Sequence, residues 1–307
     1  MKFVRSFLIL VLALSIVSAQ KSSVQKSPAA PESKTLDAAR LLRDIEILSA
    51  DDMEGREAGT AGGEKARAFV ARRFAEVGIK PFRDGYLQAF KLGKRRAANV
   101  VGFIEGGKYK NRYAVVSAHY DHVGINEGEI FNGADDNASG VAALLALAEY
   151  FKKNKPEHTI IFAAFDAEES GLVGARAFVA APPVSIKNIA LNINLDMVSR
   201  SEKNELFAAG TYHYPQLKKP VEKAARGSKI KLLFGHDRPE DGGDDWTTQS
   251  DHAAFHAVKI PFVYFGVENH RDYHRPSDDF ARIDPEFFVR AVETILEAVK
   301  NLDKEIG

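Results

Sequence analysis

The sequence predicts an α/β fold of three layers, a mostly parallel mixed sheet with helices on both faces. Three observations carry that expectation. Apolar segments of strand length alternate with segments of helical periodicity. The segment "HTIIFAAF" is an almost unbroken apolar run, as expected of a strand covered on both sides. Strand after strand also ends in histidines and acids, which places those residues at one edge of a sheet.

The folded part begins near Leu36. "LDAARLLRDIEILSA" and "GGEKARAFVARRFAEVGI" have helical spacing, the second through Ala66, Phe69, Val70, Phe74 and Val77. The preceding "GTAGGEK" lacks the spacing of a phosphate-binding loop, so its glycines are read as a helix entry. "NVVGFIEG" and "RYAVVSAHYDHV" read as strands. The helix "GVAALLALAEYFKKN" then places Val141, Leu144, Leu145, Ala148 and Phe151 on one face. "HTIIFAAFDAEE" reads as a buried strand and "GLVGARAFVA" as a short helix. "IALNINLDMV" and "KIPFVYFGV" are further strands, and "PEFFVRAVETILEAVKNL" is a closing helix. Residues 235–250, "GHDRPEDGGDDWTTQS", are too polar for a core and read as a long loop. There is no internal repeat.

The chain of 307 residues is long enough for a core without covalent staples, and residues 36–307 are read as one domain. Lys plus Arg and Asp plus Glu both number 42, so no net field recruits nucleic acid or an anionic membrane. The absence of cysteine excludes disulfides, thiolate metal sites and cysteine nucleophiles. Residues 1–19 have a basic start at Lys2 and Arg5, an apolar run from Phe7 to Val17, and small residues up to Ala19. That is the pattern of a secretory signal peptide, and the run is short for a membrane span of roughly 20 residues. Cleavage would leave 40 basic against 42 acidic residues, a formal charge of −2. Residues 20–35, rich in Ser, Lys and Pro, are read as a disordered leader. The expectation is an exported protein, periplasmic or extracellular, free of the membrane after cleavage. Nothing specifies an assembly, and a monomer is favoured.

The strand ends read "AHYDH", "FDAEES" and "NLDM", and the last strand is followed by "DYHRPSDD". Between the first two, "NGADDNASG" opens a helix with two adjacent aspartates. One acid there would serve as an ordinary cap; four such clusters in register, plus the pair, point to metal. With His119 and His274 neutral and Asp135, Glu169 and Asp196 ionised, three carboxylates and one hydroxide balance two divalent cations. Two ions roughly 3.5–4 Å apart need a carboxylate that touches both, and Asp135 is expected to be that bridge. Glu168 and Glu169 leave a strand in different directions, so one can bind metal while the other serves as general base. Asp121, on the same strand face as His119, can accept the imidazole N–H, and Asp278 is placed to do the same for His274.

These motifs resemble metallopeptidase family 28, the co-catalytic zinc aminopeptidases. The pieces are "HYD" (119–121), "GADDNASG" (133–140), "FDAEESGLVGA" (165–175), "NLDM" (194–197), "SDHAAF" (250–255) and "YHRPSDD" (273–279), with "DMEGREAGTAGGEKA" upstream. The resemblance runs from about Leu36 to the C-terminus. It implies two zinc ions per chain, His119 and Asp196 on one, Glu169 and His274 on the other, and Asp135 bridging. It further implies Glu168 as general base, Tyr273 as a donor to the oxyanion, and a cis bond between Asp135 and Asp136, with Asp136 supporting the site by shaping the turn that aims Asp135. The implied reaction is hydrolysis of N-terminal residues from peptides with a free amino end, by a metal-bridging hydroxide. Activity should fall in acid, because the histidines must be neutral to bind metal.

Three other readings stay open. Glutaminyl cyclases of the same fold resemble the chain at "AHYD" but keep one zinc and typically lack the DDNASG and full EE pattern. Dipeptidases and carboxypeptidases share the ligand types but usually insert a lid, for which the 78-residue separation of Asp196 and His274 leaves little room. A non-catalytic binding protein would be expected to have lost Glu168 or a ligand. His122, His236, His252 and His256 are read as structural, "SDH" as bracing the site, and Trp246 as either a pocket rim or a packing aromatic.

Overall fold

Adjacent residues of a strand face opposite sides of its sheet, and the central strands here are apolar on both. In β3 (Tyr109–His119), Val115 and Val116 are both fully buried, yet they belong to two separate cores. In β6 (His158–Phe165), Ile160 and Phe162 face one core while Ile161 and Ala163 face the other. The computed structural model in which this is seen describes residues 30–306. The expected signal peptide and most of the expected leader lie outside the described residues. The end of the leader is tied to the closing helix: Ser33 Oγ donates to Glu293 at 2.8 Å, and Arg290 donates to Glu32 O at 3.0 Å.

The remaining strands are β1 (Leu87–Leu92), β2 (Arg95–Ile104), β4 (Gly124–Asn126), β5 (Glu129–Phe131), β7 (Ile189–Leu195), β8 (Glu205–Ala209), β9 (Lys231–Phe234) and β10 (Phe262–Gly266). Eight form one sheet in the order β1-β2-β6-β3-β7-β10-β8-β9, and β4 and β5 form a small hairpin. The central strands β6, β3, β7 and β10 are mutually parallel. The β1–β2, β2–β6 and β8–β10 pairings are antiparallel. Helices α1 (Ala38–Leu48), α2 (Ala61–Val77), α3 (Gly140–Lys153), α5 (Lys218–Ala225) and α7 (Pro285–Asp303) pack into the larger core. Helices α4 (Val173–Ala180) and α6 (His252–Ala257) cover the other face through Phe178 and Phe255. The expected three layers are therefore present.

Local chemistry sets the helix starts. Asp37, Thr60 and Asp284 each accept an amide from the first turn of α1, α2 and α7. Helix α3 departs from the amphipathic expectation, because every residue from Gly140 to Ala148 is buried. It lies between the sheet and α1, α2 and α7, and its alanines permit that close approach on several sides. The sequence pattern does not predict β1, β4, β5, β8 or β9. Strand β1 is an edge strand with alternately exposed side chains, so it has no apolar run. Residues 235–250 form a loop as expected, with two short 3₁₀ turns.

Candidate metal centre

Four parallel strands deliver their carboxyl ends to one edge, and the expected ligands gather there. His119 is the last residue of β3, Glu168 and Glu169 follow β6, Asp196 follows β7, and His274 lies in the loop after β10. Two groups of potential ligand atoms result: His119, Glu168 and Asp196 in one, and His122, Asp136, Glu169 and His274 in the other. Within each group the atoms lie inside 4.8 Å of one another. His119 Nε2 is 3.3 Å from Asp196 Oδ1, and His274 Nε2 is 3.1 Å from Glu169 Oε2.

The two groups meet at Asp136. Its Oδ1 is 3.5 Å from His119 Nε2, and its Oδ2 is 3.0 Å from His274 Nε2. This corrects the expectation for Asp135. The Asp135 carboxylate turns away, accepting the Ser199 amide and hydroxyl, both at 2.7 Å, on Oδ1. Its Oδ2 lies 3.1 Å from His270 Nε2. The Asp272 amide donates to His270 Nδ1, which leaves the proton of a neutral ring on Nε2, facing Asp135. The cis bond is likewise one step on, between Asp136 and Asn137 rather than between the two aspartates. The helix cap falls to Asn137, whose Oδ1 accepts Gly140 N at 2.9 Å. The same side chain accepts Met197 N and donates to Leu195 O, tying the loop to the segment that holds Asp196.

Asp121 and Asp278 also act differently from expectation. The amide protons of Glu168 and Glu169 go to the two oxygens of Asp121, at 3.0 and 3.3 Å. His119 Nδ1 faces the Asp121 carbonyl at 3.2 Å, closer than the Asp121 carboxylate at 3.7 Å. Asp278 accepts the amides of Asp135 and Asp136, each at 3.1 Å, in place of the His274 imidazole. Each acidic pair is thus held from behind by one aspartate on its main chain. Strain collects at the same edge: Ala167, Met197 and His274, next to or among the ligands, all have φ between 52° and 60°.

Concentrated carboxylates dominate the electrostatics. Burial pushes Glu168 well above the usual carboxylate range, and the neighbouring Asp251 and Asp196 add to it. Burial lowers His119, but Asp196 and Glu168 outweigh it and hold the ring well above its ordinary value. Hydrogen bonds to Asp136 and Glu169 raise His274 to about 10. Burial raises Asp136, with Glu169 reinforcing it. Negative charge therefore exceeds what the nearby protein cations offset. A nitrogen-and-oxygen donor set with that surplus is the chemistry that hard or borderline divalent cations require.

His122, expected to be structural, belongs to the second group. It is buried, its Nδ1 is 2.9 Å from Glu169 Oε1, and its Nε2 has no hydrogen-bond partner among the described residues. Its ring packs on Gly133, where a Cβ would come within 2.5 Å of it. The other histidines singled out are structural: His236 stacks on Trp246 at 3.8 Å, His252 lies 2.8 Å from Trp246 O, and His256 is 2.9 Å from Tyr214 Oη. Trp246 is both packing aromatic and rim, since it lines the cleft beside Met197, Tyr264 and Tyr273. Tyr273 stacks on His274 at 4.0 Å, and burial pushes its phenol above the ordinary range. Sequence spacing gave no signal for Ser199, His270 or Asn137, whose roles depend on loops meeting in space.

The family model described as "Peptidase family M28" matches residues 99–299. Aminopeptidase YwaD of Bacillus subtilis is 30% identical over 249 residues, covering 77% of this chain and 49% of that protein. A probable zinc metalloprotease of Pyrenophora teres f. teres is 40% identical over 151 residues, 45% of this chain and 30% of that protein. The chain thus spans about half the length, or less, of these curated relatives. Among solved structures, BSAP, a zinc aminopeptidase from Bacillus subtilis, aligns with a TM-score of 0.70 at 19% identity, covering 87% of this chain and 96% of that one. A Bacteroides thetaiotaomicron glutaminyl cyclase bound to N-acetylhistamine aligns with a TM-score of 0.68 at 20% identity, covering 89% and 99%. At these identities the structural likeness establishes the fold.

Proposed function

The chain belongs to peptidase family M28, and from that premise we propose that it is a zinc aminopeptidase removing single residues from the free amino end of peptides at a two-ion centre. The observation that carries the reading is the Asp136 carboxylate, whose two oxygens face the two ligand groups. His119 and Asp196 would hold one zinc, Glu169 and His274 the other, and Asp136 both. Bound zinc would supply Lewis acidity toward the scissile carbonyl and lower the pKa of water. Oxygen and nitrogen donors would also accept cobalt or manganese.

The protein's own groups supply the rest. Glu168 takes the proton of the attacking water and returns it to the leaving amine. Tyr273 keeps its phenolic proton at neutral pH and donates it in a hydrogen bond to the developing oxyanion. His122 orients Glu169 through their 2.9 Å contact. Asp121 and Asp278 fix the two acidic pairs by their amides. The substrate's free α-amine would bind at one ion and the nearby acidic groups. Residues 1–19 are proposed to direct export and to be removed; N-terminal sequencing of the mature protein checks this. Among the described residues, no helix is long and apolar enough to cross a membrane.

The test uses residues 20–307 loaded with zinc, and matched peptides with free and acetylated N-termini, with and without chelator. Stepwise loss of N-terminal residues from the free peptide alone, abolished by chelation, is expected. Cleavage from the carboxyl end would move the enzyme to the carboxypeptidase branch. Cyclisation of N-terminal glutamine without cleavage would favour the cyclase reading.

A further inference from the structure

Arg56 lies outside the span matched to the family and outside the ligand set, yet it is among the largest fully buried side chains. All five guanidinium N–H groups find main-chain carbonyls. Nε donates to Tyr120 O at 2.9 Å, Nη1 to Leu48 O at 2.7 Å and Asn132 O at 2.6 Å. Nη2 donates to Gly133 O at 2.8 Å and, more weakly, to Asp136 O at 3.5 Å. Those acceptors belong to three segments: the end of α1, the residue after His119, and the loop that carries Asp136. No carboxylate forms an ion pair with Arg56 among the described residues.

A buried cation without a paired anion is costly, and the backbone that delivers it is strained as well. Glu54, Gly55 and Arg56 are consecutive residues with φ of 51°, 65° and 52°. Gly55 is required, because a Cβ there would meet Gly124 O at 2.3 Å. Arg73 offers the contrast of an ordinary buried arginine: it pairs with Asp44 at 3.0 Å and with Glu76 and Glu149, joining helices away from the site. Arg56 instead spends its donors on the turn that aims Asp136, while its charge faces Asp136, Asp278, Asp121 and Glu169.

We infer that Arg56 is a positioning residue: its guanidinium ties the carbonyls of Asn132, Gly133 and Asp136 to that of Tyr120, just after β3, so that Asp136 faces His119 and His274 together. The inference rests on the two-ion reading of the site and adds what holds that site in register.

Cobalt(II) is the probe, because its d–d absorption reports ligand geometry as well as occupancy. Wild type, Arg56→Lys, Arg56→Gln and Arg73→Lys would be titrated with cobalt, melted, and assayed for kcat and KM. Wild type is expected to bind two equivalents. Arg56→Lys keeps the charge but lacks the planar fork. It is expected to fold, to bind one equivalent about tenfold or more weaker with an altered d–d spectrum, and to lose kcat about tenfold with KM changed less than about twofold. Arg73→Lys should melt earlier with cobalt binding and kcat unchanged. Wild-type cobalt affinities, spectrum and kcat in folded Arg56→Lys would overturn the inference. So would failure of both Arg56 variants to fold while Arg73→Lys folds, which would assign Arg56 to the fold as a whole. Fewer than two equivalents in wild type would defeat the two-ion reading itself; a weaker, spectrally altered remaining site in Arg56→Lys would then still support positioning, and an unaltered one would overturn it.

Discussion

In the Glu168–Glu169 pair both carboxylates turn into the centre, one to each ligand group, whereas in the Asp135–Asp136 pair only the second does. The two pairs are otherwise built alike. Each follows a buried strand or opens a buried helix, and each has its amides held by a single aspartate, Asp121 or Asp278. What separates them is the competing partners available outside the centre. Ser199 and His270 capture Asp135, whereas the partners of Glu169, His122 and His274, lie within the centre. Adjacency in sequence therefore supplies two acids, and the third dimension decides which of them reaches metal.

The largest expected effect separates the glutamates. Glu168→Gln should lower kcat by about a thousandfold while zinc content and melting temperature stay near wild type, because only the proton transfer is lost. Glu169→Gln should instead lose zinc, as metal analysis would show. Equal zinc loss in both variants would break the division of roles.

Next come the two aspartates behind the pairs. Asp121→Asn and Asp278→Asn should each lower zinc affinity or kcat by about 10–100-fold, since each leaves one acidic pair loosely aimed. Zinc titrations and kinetics on both would show whether the Asp and Glu loops are equally dependent on their anchors. Ser199→Ala should do less: removing one hydroxyl from the buried Asp135 costs about 1.5–3 kcal/mol of stability, read as a lower melting temperature, with kcat within a fewfold.

An effect confined to the metal-free protein concerns Asp251, fully buried with neither oxygen hydrogen-bonded among the described residues and raised to about 8 by burial. Between its unfolded value of about 4 and about 8 the folded state keeps a proton that the unfolded chain has lost. The metal-free protein should therefore lose stability as pH rises through that window. Asp251→Asn should flatten the loss, giving a higher melting temperature than wild type at pH near 8 and the same at pH near 4. Parallel melting curves for the two proteins would contradict it.

Much of this was legible in the sequence, for identifiable reasons. The alternation of buried strands and helices gave the layers, and the histidines and acids at the strand ends gave His119, Glu168, Glu169, Asp196 and His274 as one cluster. The edge strand β1 was hidden by its alternate exposure. Choosing between Asp135 and Asp136 required knowing where Ser199 and His270 sit, and neither is near them in sequence. His122 looked like a bystander beside "HYD", because its contact with Glu169 spans two strands. Arg56 sits in the "DMEGREAG" stretch of the resemblance, but no role was readable for it there, because its donors reach main-chain carbonyls from segments distant in sequence.

The most direct test compares Asp135→Asn with Asp136→Asn for zinc stoichiometry and kcat. The account predicts that Asp136→Asn, which loses the carboxylate facing both groups, binds fewer than two zinc ions and loses activity by at least about a hundredfold. Asp135→Asn should retain both ions and most of its kcat, with a lower melting temperature. Loss of zinc from Asp135→Asn with full occupancy in Asp136→Asn would contradict it.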